Sequence, residues 1–538
     1  MIRIKILAFL LIAFTANSYA QTPPFQIAIE PMDIPDLGGL QAYAFGQDNG
    51  KWLIIGGRLD GLHRRQPFAA FDVAGLNTQI TVVDPVTQQK WSAPLASLPT
   101  GLREQLSSTN MEFYQQGDYL YILGGYGYSN TAGDHITYSK LSAVHVPDVI
   151  NAIVNGASII SGFRQITDTM FAVTGGYLSK INDIFYLTGG QKFMGRYNPM
   201  GPDHGPGFIQ NYSNSIRRFT ILDDGVNLSV SHLPLIYDAT NLHRRDLNVV
   251  PQIMPSGQEG LTVFSGVFQV DADLPFLNCV NIDINGYTVN NDFSQYYNHY
   301  HCAHIPLYSA ENNEMHTVFF GGIAQYYESD GELVQDDNVP FVKTIARVTR
   351  DASGTMAEYK LPIEMPAFLG AGSEFIPAAN IPQFNNEVLK LDDFTADTTL
   401  VGYIYGGISS TAANIFFTND GTQSSASSQI FKVYVIKNSP VGIHELNKQS
   451  TSTLHMQVYP NPNNGNFIVK FNLKKSSDVT INIQDANGRL IENTTLKNLK
   501  VGENTYSKEI EQIVNGGMYY ITIETGYEKA TQKIVVEN

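Results

Sequence analysis

The chain has 538 residues, several times the size of an average single domain, so more than one domain is expected. Its 34 Lys+Arg against 50 Asp+Glu leave a net charge of −16, which argues against nucleic acid or an anionic membrane as a partner. Hydrophobic residues reach 43 %, which excludes general disorder, while 46 Gly, 29 Tyr and 29 Phe with only 16 % charged residues describe an all-β protein.

The first twenty residues read as a secretory signal peptide. Arg3 and Lys5 form a basic start, Ile6 to Phe14 an apolar run, and Ser18-Tyr19-Ala20 a small-residue cleavage site before Gln21. The apolar run is too short to span a bilayer comfortably, and no later stretch is long enough. No Cys follows the cleavage site, so no lipid anchor is expected there. The mature chain is expected to be exported and soluble.

From residue 21 to 438 the sequence repeats itself. Strand-like segments ending in glycine recur as Trp52-Leu-Ile-Ile-Gly-Gly57, Tyr119-Leu-Tyr-Ile-Leu-Gly-Gly125, Ile184-Phe-Tyr-Leu-Thr-Gly-Gly190, Leu261-Thr-Val-Phe-Ser-Gly266, His316-Thr-Val-Phe-Phe-Gly-Gly322 and Val401-Gly-Tyr-Ile-Tyr-Gly-Gly407. Each reads as the second strand of a four-stranded unit, with a hairpin after it, as in Gln79-Ile-Thr-Val-Val-Asp84 with Gln89-Lys-Trp-Ser92. The stretch from Lys140 to Val154 is irregular. An extra doublet, Gly175-Gly176, is expected to be a hairpin turn. The sixth unit has Gln429-Ile-Phe-Lys-Val-Tyr-Val435 but no strand after it, and the orphan run Phe25-Gln-Ile-Ala-Ile29 is available to fill that place. These doublets resemble kelch repeats. The resemblance implies a six-bladed kelch-like β-propeller, with seven blades as the alternative. The repeats are longer than the kelch period, and most units lack the family's tryptophan; only Trp91 sits where it is expected.

Strand alternation places the loops that follow the doublets on the same face as the loops entering each unit. His63, Arg64 and Arg65 follow the first doublet; Arg103 and Arg164 are assigned to the loops entering units two and three; His243, Arg244 and Arg245 enter unit four. Guanidinium groups gathered on one rim suit an anionic ligand such as a carboxylated glycan, held by bidentate forks. Ion pairs with the protein's own carboxylates are the alternative use of the same residues. His299, His301 and His304, with Cys302 among them, are weak candidates for copper or zinc, and His304 falls on the opposite strand face from the other two. A secreted chain with two Cys usually pairs them, which favours a disulfide between Cys279 and Cys302 over a metal. No nucleophile elbow, P-loop, zinc-protease or calcium-loop motif occurs, and no cofactor is expected.

The composition shifts at Asn447-Lys-Gln-Ser-Thr-Ser-Thr453, within an expected linker at 439–453. Residues 21–453 hold 23 Lys+Arg against 41 Asp+Glu, whereas 454–538 hold 9 of each. Alternating segments separated by Asn463-Asn-Gly465, Asn487-Gly488 and Gly516-Gly517 predict a small Ig-like β-sandwich of about seven strands over 454–538. Val458-Tyr-Pro-Asn-Pro-Asn-Asn-Gly465, Asp485-Ala-Asn-Gly488, Gly517-Met-Tyr519 and Lys533-Ile-Val-Val536 resemble the type A C-terminal sorting domain of the type IX secretion system. The resemblance puts the secretion signal on Pro460, Asn461, Pro462, Gly465, Asp485, Gly488, Gly517, Tyr519, Lys533 and Val535. It further implies a Bacteroidota host, Sec export to the periplasm, recognition by a PorV-like outer-membrane shuttle and the translocon, and cleavage by a sortase in the linker. The cargo then reaches the cell surface or the medium. The sequence therefore reads as a secreted propeller whose loop face binds a glycan or a surface protein, more in the manner of a binding protein than an enzyme. A kelch-fold carbohydrate-active enzyme, a mutarotase-like isomerase or copper oxidase, is the alternative.

Overall fold

The computed structural model describes residues 23–205, 207–437, 454–485, 490–509, 517–525 and 529–536. The expected signal peptide, the linker at 439–453 and Gly488 lie outside them. The chain divides into two compact units at 438/439.

In the first unit, six antiparallel sheets each contain a four-strand path. They run Ala44–Asp48, Lys51–Ile55, Gln79–Asp84, Gln89–Pro94; then Thr109–Gln116, Tyr119–Ser129, Lys140–His145, Phe163–Thr167; then Thr174–Ile181, Ile184–Gly195, Ser215–Asp223, Leu228–His232. The fourth and fifth are Asn248–Ile253, Glu259–Phe264, Cys279–Asp283, Gly286–Asn290 and His304–Ser309, Glu314–Phe320, Thr344–Arg350, Met356–Glu364. The sixth takes Ser373–Pro377, Thr398–Gly406 and Ile430–Lys437, and its last strand is the N-terminal Phe25–Met32, with Phe25 opposite Lys437 and Met32 opposite Ile430. First strands such as Asn248–Ile253 are buried throughout, as expected for strands covered on both faces. The irregular stretch resolves into strand Lys140–His145 and helix Val146–Val154, with Pro147 in its first turn and Val149, Ile150 and Ile153 buried.

The glycine doublets have a specific job. In five sheets the second glycine donates its N–H to a carbonyl on the chain entering the next sheet: Gly57 to Ser108 (2.9 Å), Gly125 to Val173 (2.9 Å), Gly190 to Arg244 (2.8 Å), Gly322 to Leu369 (2.8 Å) and Gly407 to Leu40 (2.9 Å). Gly266 does the same to His299 at 3.2 Å, with Ser265 standing in the first glycine's place at φ 47°. These six bonds link sheet one to two, two to three and so on, and the last returns from sheet six to sheet one. The close approach is what excludes a side chain: at Gly406 (φ +76°) a Cβ would lie 2.2 Å from the Leu40 carbonyl oxygen.

A second cycle lies at the start of the first strands. Asn110 N–H donates to Ala42 O (3.1 Å), the Thr174 hydroxyl to Asn110 O (3.1 Å), Asp246 N–H to Gly175 O (2.7 Å), His301 N–H to Asp246 O (2.9 Å), Gly372 N–H to His301 O (2.9 Å) and Ala42 N–H to Gly372 O (2.8 Å). Gly175-Gly176 is therefore no hairpin turn. It opens the first strand of the third sheet and takes part in this inner cycle.

The expected disulfide is absent: Cys279 and Cys302 are free and fully buried. They share one apolar cluster with Phe264 and Phe319. Cys279 sits on the third strand of its sheet, while Cys302 precedes the first strand of the next. Cys279 Sγ lies instead 3.7 Å from Met356 Sδ, and Cys302 takes Asn248 as its neighbour.

In the second unit, Gln457–Tyr459, Asn466–Leu473 and Gly502–Glu509 form one sheet, and Leu490–Leu499, Ser477–Asp485, Gly517–Thr525 and Lys529–Val536 the other. Phe467, Val469 and Phe471 from the first and Ile481, Ile521, Ile523 and Ile534 from the second fill a common core. This follows from the period-two alternation of those strands.

Two outcomes follow from the packing. Phe25 is buried in the core shared by the fifth and sixth sheets, so Phe25→Ala should cost about 3–5 kcal/mol in denaturant unfolding; a change below about 1 kcal/mol would mean that the N-terminal strand is not part of the closed structure. Burial pushes both thiols up to about 12, so a thiol reagent should find no reactive cysteine in the native chain and two after unfolding without reductant.

Candidate functional site

The inner hydrogen-bond cycle surrounds a small cavity of about 40 Å³ that opens to solvent at its mouth. All six sheets contribute to its lining, through Tyr43, Asn110 and Glu112, Tyr177, Asp246, His301 and Glu374 in sheet order. The first strands begin here, so their leading side chains converge while the rest of each strand diverges into apolar packing.

The charged groups in the cavity are mostly paired. Asp246 forms an ion pair with Arg245, whose Nε also donates to the Tyr212 hydroxyl at 3.1 Å. His301 Nε2 lies 2.8 Å from Glu374 Oε1. Burial by itself would lower the His301 pKa, but the Glu374 carboxylate outweighs it and holds the imidazole above its ordinary value. Tyr177 lies against this pair, its ring centroid 5.9 Å from those of both His301 and His304. Glu112 is 2 % exposed. Its Oε1 accepts from Gly176 N–H at 2.9 Å, while Oε2 has no hydrogen-bond partner. Burial raises its pKa well above the ordinary carboxylate value.

Outside the mouth stands a wall of rings. His63 stacks on Phe71 at 4.7 Å between centroids and meets Tyr197 edge-on at 4.9 Å. His243 stacks on Tyr212 at 3.8 Å, and the Arg245 guanidinium lies 5.1 Å from the centre of the Phe268 ring. Burial, reinforced by Arg245 and Arg58, brings His63 down to about 4. That ring is neutral at any ordinary pH.

The structure brings some of the expected site residues together and separates others. His63, His243 and Arg245 gather near Asp246. Arg64 is exposed, and Arg65 lies 4.9 Å from the Phe417 ring centre on the sixth sheet's loop. Arg103 sits on helix Thr100–Leu106, its guanidinium 3.4 Å from the Thr100 hydroxyl. Arg164 is not on an entry loop: it belongs to the outermost strand of the second sheet, where it pairs with Asp223 and lies over Tyr119. Arg244 is 1 % exposed, and its guanidinium donates to the carbonyls of Asn241, Ser265 and Asn278 and to the Asn278 side chain. It is a structural cross-brace. The three histidines also part ways. His299 is bonded to Gln295 O and Gln325 N, His304 to Cys302 O, and only His301 reaches the cavity. Among the described residues no three His, Cys, Asp or Glu side chains are grouped to hold a metal ion.

Sequence reasoning missed Tyr43, Asn110, Glu112, Tyr177 and Glu374. A faint signal existed: Met111-Glu112-Phe113 and Ser373-Glu374-Phe375 each put one carboxylate inside an otherwise uncharged first strand.

In the tail, the expected signal residues pack together. Asn461 clamps the last strand, its Nδ2 donating to Lys533 O at 3.0 Å and its Oδ1 accepting from Val535 N–H at 2.7 Å. Gly465 N–H bonds Asn463 Oδ1, Asn463 N–H donates to Val535 O, and Tyr519 pairs across the ladder with Asp485. Pro460 and Pro462 flank Asn461 at the surface, and Gly517 opens its strand.

Comparison with known proteins assigns this tail. Residues 457–537 match the family described as the secretion system C-terminal sorting domain. The tail is a type IX sorting domain. The chain is thus a secreted cargo, recognised by the type IX machinery and exported to the cell surface or the extracellular space. Among the described residues no helix is long and apolar enough to cross a membrane. No curated protein matches the chain. Among solved structures, that of YjhT is similar at 13 % identity over 74 % of this chain and 98 % of its own, with a TM-score of 0.42. A copper-bound fungal alcohol oxidase of the AA5 family is similar at 9 % identity over 96 % and 100 %, with a TM-score of 0.36. A RAG complex with one melted and one unmelted RSS is similar at 12 % over 76 % and 99 %, with a TM-score of 0.37.

The cavity pair yields a test of its electrostatics. Because the folded His301 pKa is raised, its pairing stabilises the fold fully below the unfolded value near 6.5 and loses that effect as pH rises through the folded value. Glu374→Gln should drop the His301 pKa below 6.5, since burial then dominates, as read from its ring resonances by NMR titration; an unchanged value would show that another group holds the charge.

Proposed function

We propose that this chain is a six-bladed kelch-like β-propeller followed by an Ig-like sorting domain, exported by the type IX system of a Bacteroidota bacterium, and that its axial mouth binds a glycan. In this reading residues 1–20 are the signal peptide, 21–438 the propeller, 439–453 the linker cut by a sortase, and 454–538 the sorting domain. An outer-membrane shuttle of the PorV type carries it to the translocon.

The observation that carries the binding reading is the convergence of Asn110, Tyr177, Asp246, His301 and Glu374 on one open cavity beside half-exposed rings. Hydroxyl-rich ligands need such directional donors and acceptors, together with flat rings against which a sugar's C–H face packs.

A second reading rests on the His301–Glu374 pair. An imidazole whose affinity for a proton is raised by a carboxylate, facing a cavity that also holds the buried Glu112 carboxyl, can exchange protons with a bound hydroxyl. That is the minimum for a carbohydrate-active enzyme on this fold.

Glycan-coated surfaces probed with the purified full-length chain test the first reading. At least one glycan should bind, and the double variant Asn110→Ala/Asp246→Ala should weaken that binding at least tenfold while thermal unfolding stays cooperative. Binding undiminished in that variant, or no glycan bound by the folded native chain, would remove the mouth as a glycan site.

A further inference from the structure

The rim arginines suggest a carboxylated ligand, but Arg64, Arg65 and Arg103 do not line the cavity, and the others, together with Arg58, are already engaged. Arg245 is engaged by Asp246 and Tyr212, and Arg58 by Asp60 through two bonds of 2.6 Å. Arg244 is saturated by carbonyls, and Arg164 is held by Asp223 on an outermost strand. None of these four offers a free fork to an anion.

The acids are equally committed, which argues against a cationic ligand. Glu374 faces the imidazole of His301, Asp246 faces Arg245, and Glu112 is buried with its Oε1 taken by Gly176 N–H. A charged ligand entering this mouth would shed its hydration and find each countercharge already neutralised, and partly buried ions without partners are costly. What remains are the second carboxylate oxygens. Asp246 Oδ1 carries only a long 3.5 Å contact from Asn110, and the ion pair occupies Glu374 Oε1, leaving Oε2 as an acceptor. Acceptors of this kind, beside the Asn110 amide and the uncharged rings of His63, Phe71 and Tyr212, match hydroxyl donors on a pyranose.

Resting on the glycan reading above, we infer that the mouth selects the uncharged terminal sugar of a glycan, a neutral hexose or an N-acetylated hexosamine, over uronic acids, sialic acids and free amino sugars. Arg245 is the latent element in this selection. Phe268 and Tyr212 hold its guanidinium in place independently of Asp246, so removing the aspartate's charge exposes an anion site without moving the arginine.

The test is a printed glycan panel with four classes of terminus (neutral hexose or N-acetylhexosamine, uronic acid, sialic acid, and free-amine glucosamine), probed with the native full-length chain and with Asp246→Asn. The native chain should bind neutral termini at least tenfold more strongly than any charged class. Asp246→Asn should lower the neutral signal and raise the uronic- or sialic-acid signal at least threefold. A native preference for acidic or amino termini would overturn the inference while leaving glycan binding standing. Absence of binding to every class by the folded native chain would overturn both. Native selectivity for neutral termini with no gain for acidic ones in Asp246→Asn would overturn the assignment of Arg245.

Discussion

A single hydrogen bond, repeated around a circle, holds the first unit together: the N–H of the glycine ending each second strand donates to the chain entering the next sheet. The bond forms only because two backbones come within contact distance, and that distance leaves no room for a Cβ at Gly406 or Gly124. Six such bonds, from Gly57 to Ser108 around to Gly407 to Leu40, make every sheet depend on its neighbours. The N-terminal strand Phe25–Met32 completes the cycle from the other end of the chain, so the sixth sheet has no unpaired outer edge along that strand's partner.

The mouth is a by-product of that closure. Once six first strands start from a common circle, their leading residues face one another, and any polar side chain placed there is held by a rigid frame. The ion pair Arg245–Asp246 joins neighbours on one entry loop, and His301–Glu374 reaches from sheet five to sheet six. They hold charge in the site yet cancel it locally. An overall charge of −16 therefore says little about this cavity, whose chemistry is set by pairs and by the burial of Glu112.

Much of this could be read from residues alone, for definite reasons. The doublets were visible because close backbone approach tolerates only glycine there, and the second-strand positions followed from them. The single exception, Ser265-Gly266, shows that one of the two positions accepts a small side chain at positive φ. The free N-terminal strand was legible as an apolar run with no partner nearby. Site residues were harder. Arg244 looks like a ligand-binding residue in sequence, whereas burial and four bonds make it a brace. Glu112 and Glu374 look like strand residues because a single carboxylate in an otherwise uncharged strand leaves no periodic trace. The two cysteines suggested a bridge because secreted thiols usually pair, and nothing in their spacing revealed that each is buried against other partners, Cys279 against Met356 and Cys302 against Asn248.

The central claim is that the six glycine bonds form one cooperative cycle, and native-state hydrogen exchange of the intact chain tests it directly. The account predicts that the amides of Gly57, Gly125, Gly190, Gly266, Gly322 and Gly407 converge on one opening free energy as mild denaturant is added. Opening energies that stay distinct, with some of these amides exchanging freely while others remain protected, would contradict it.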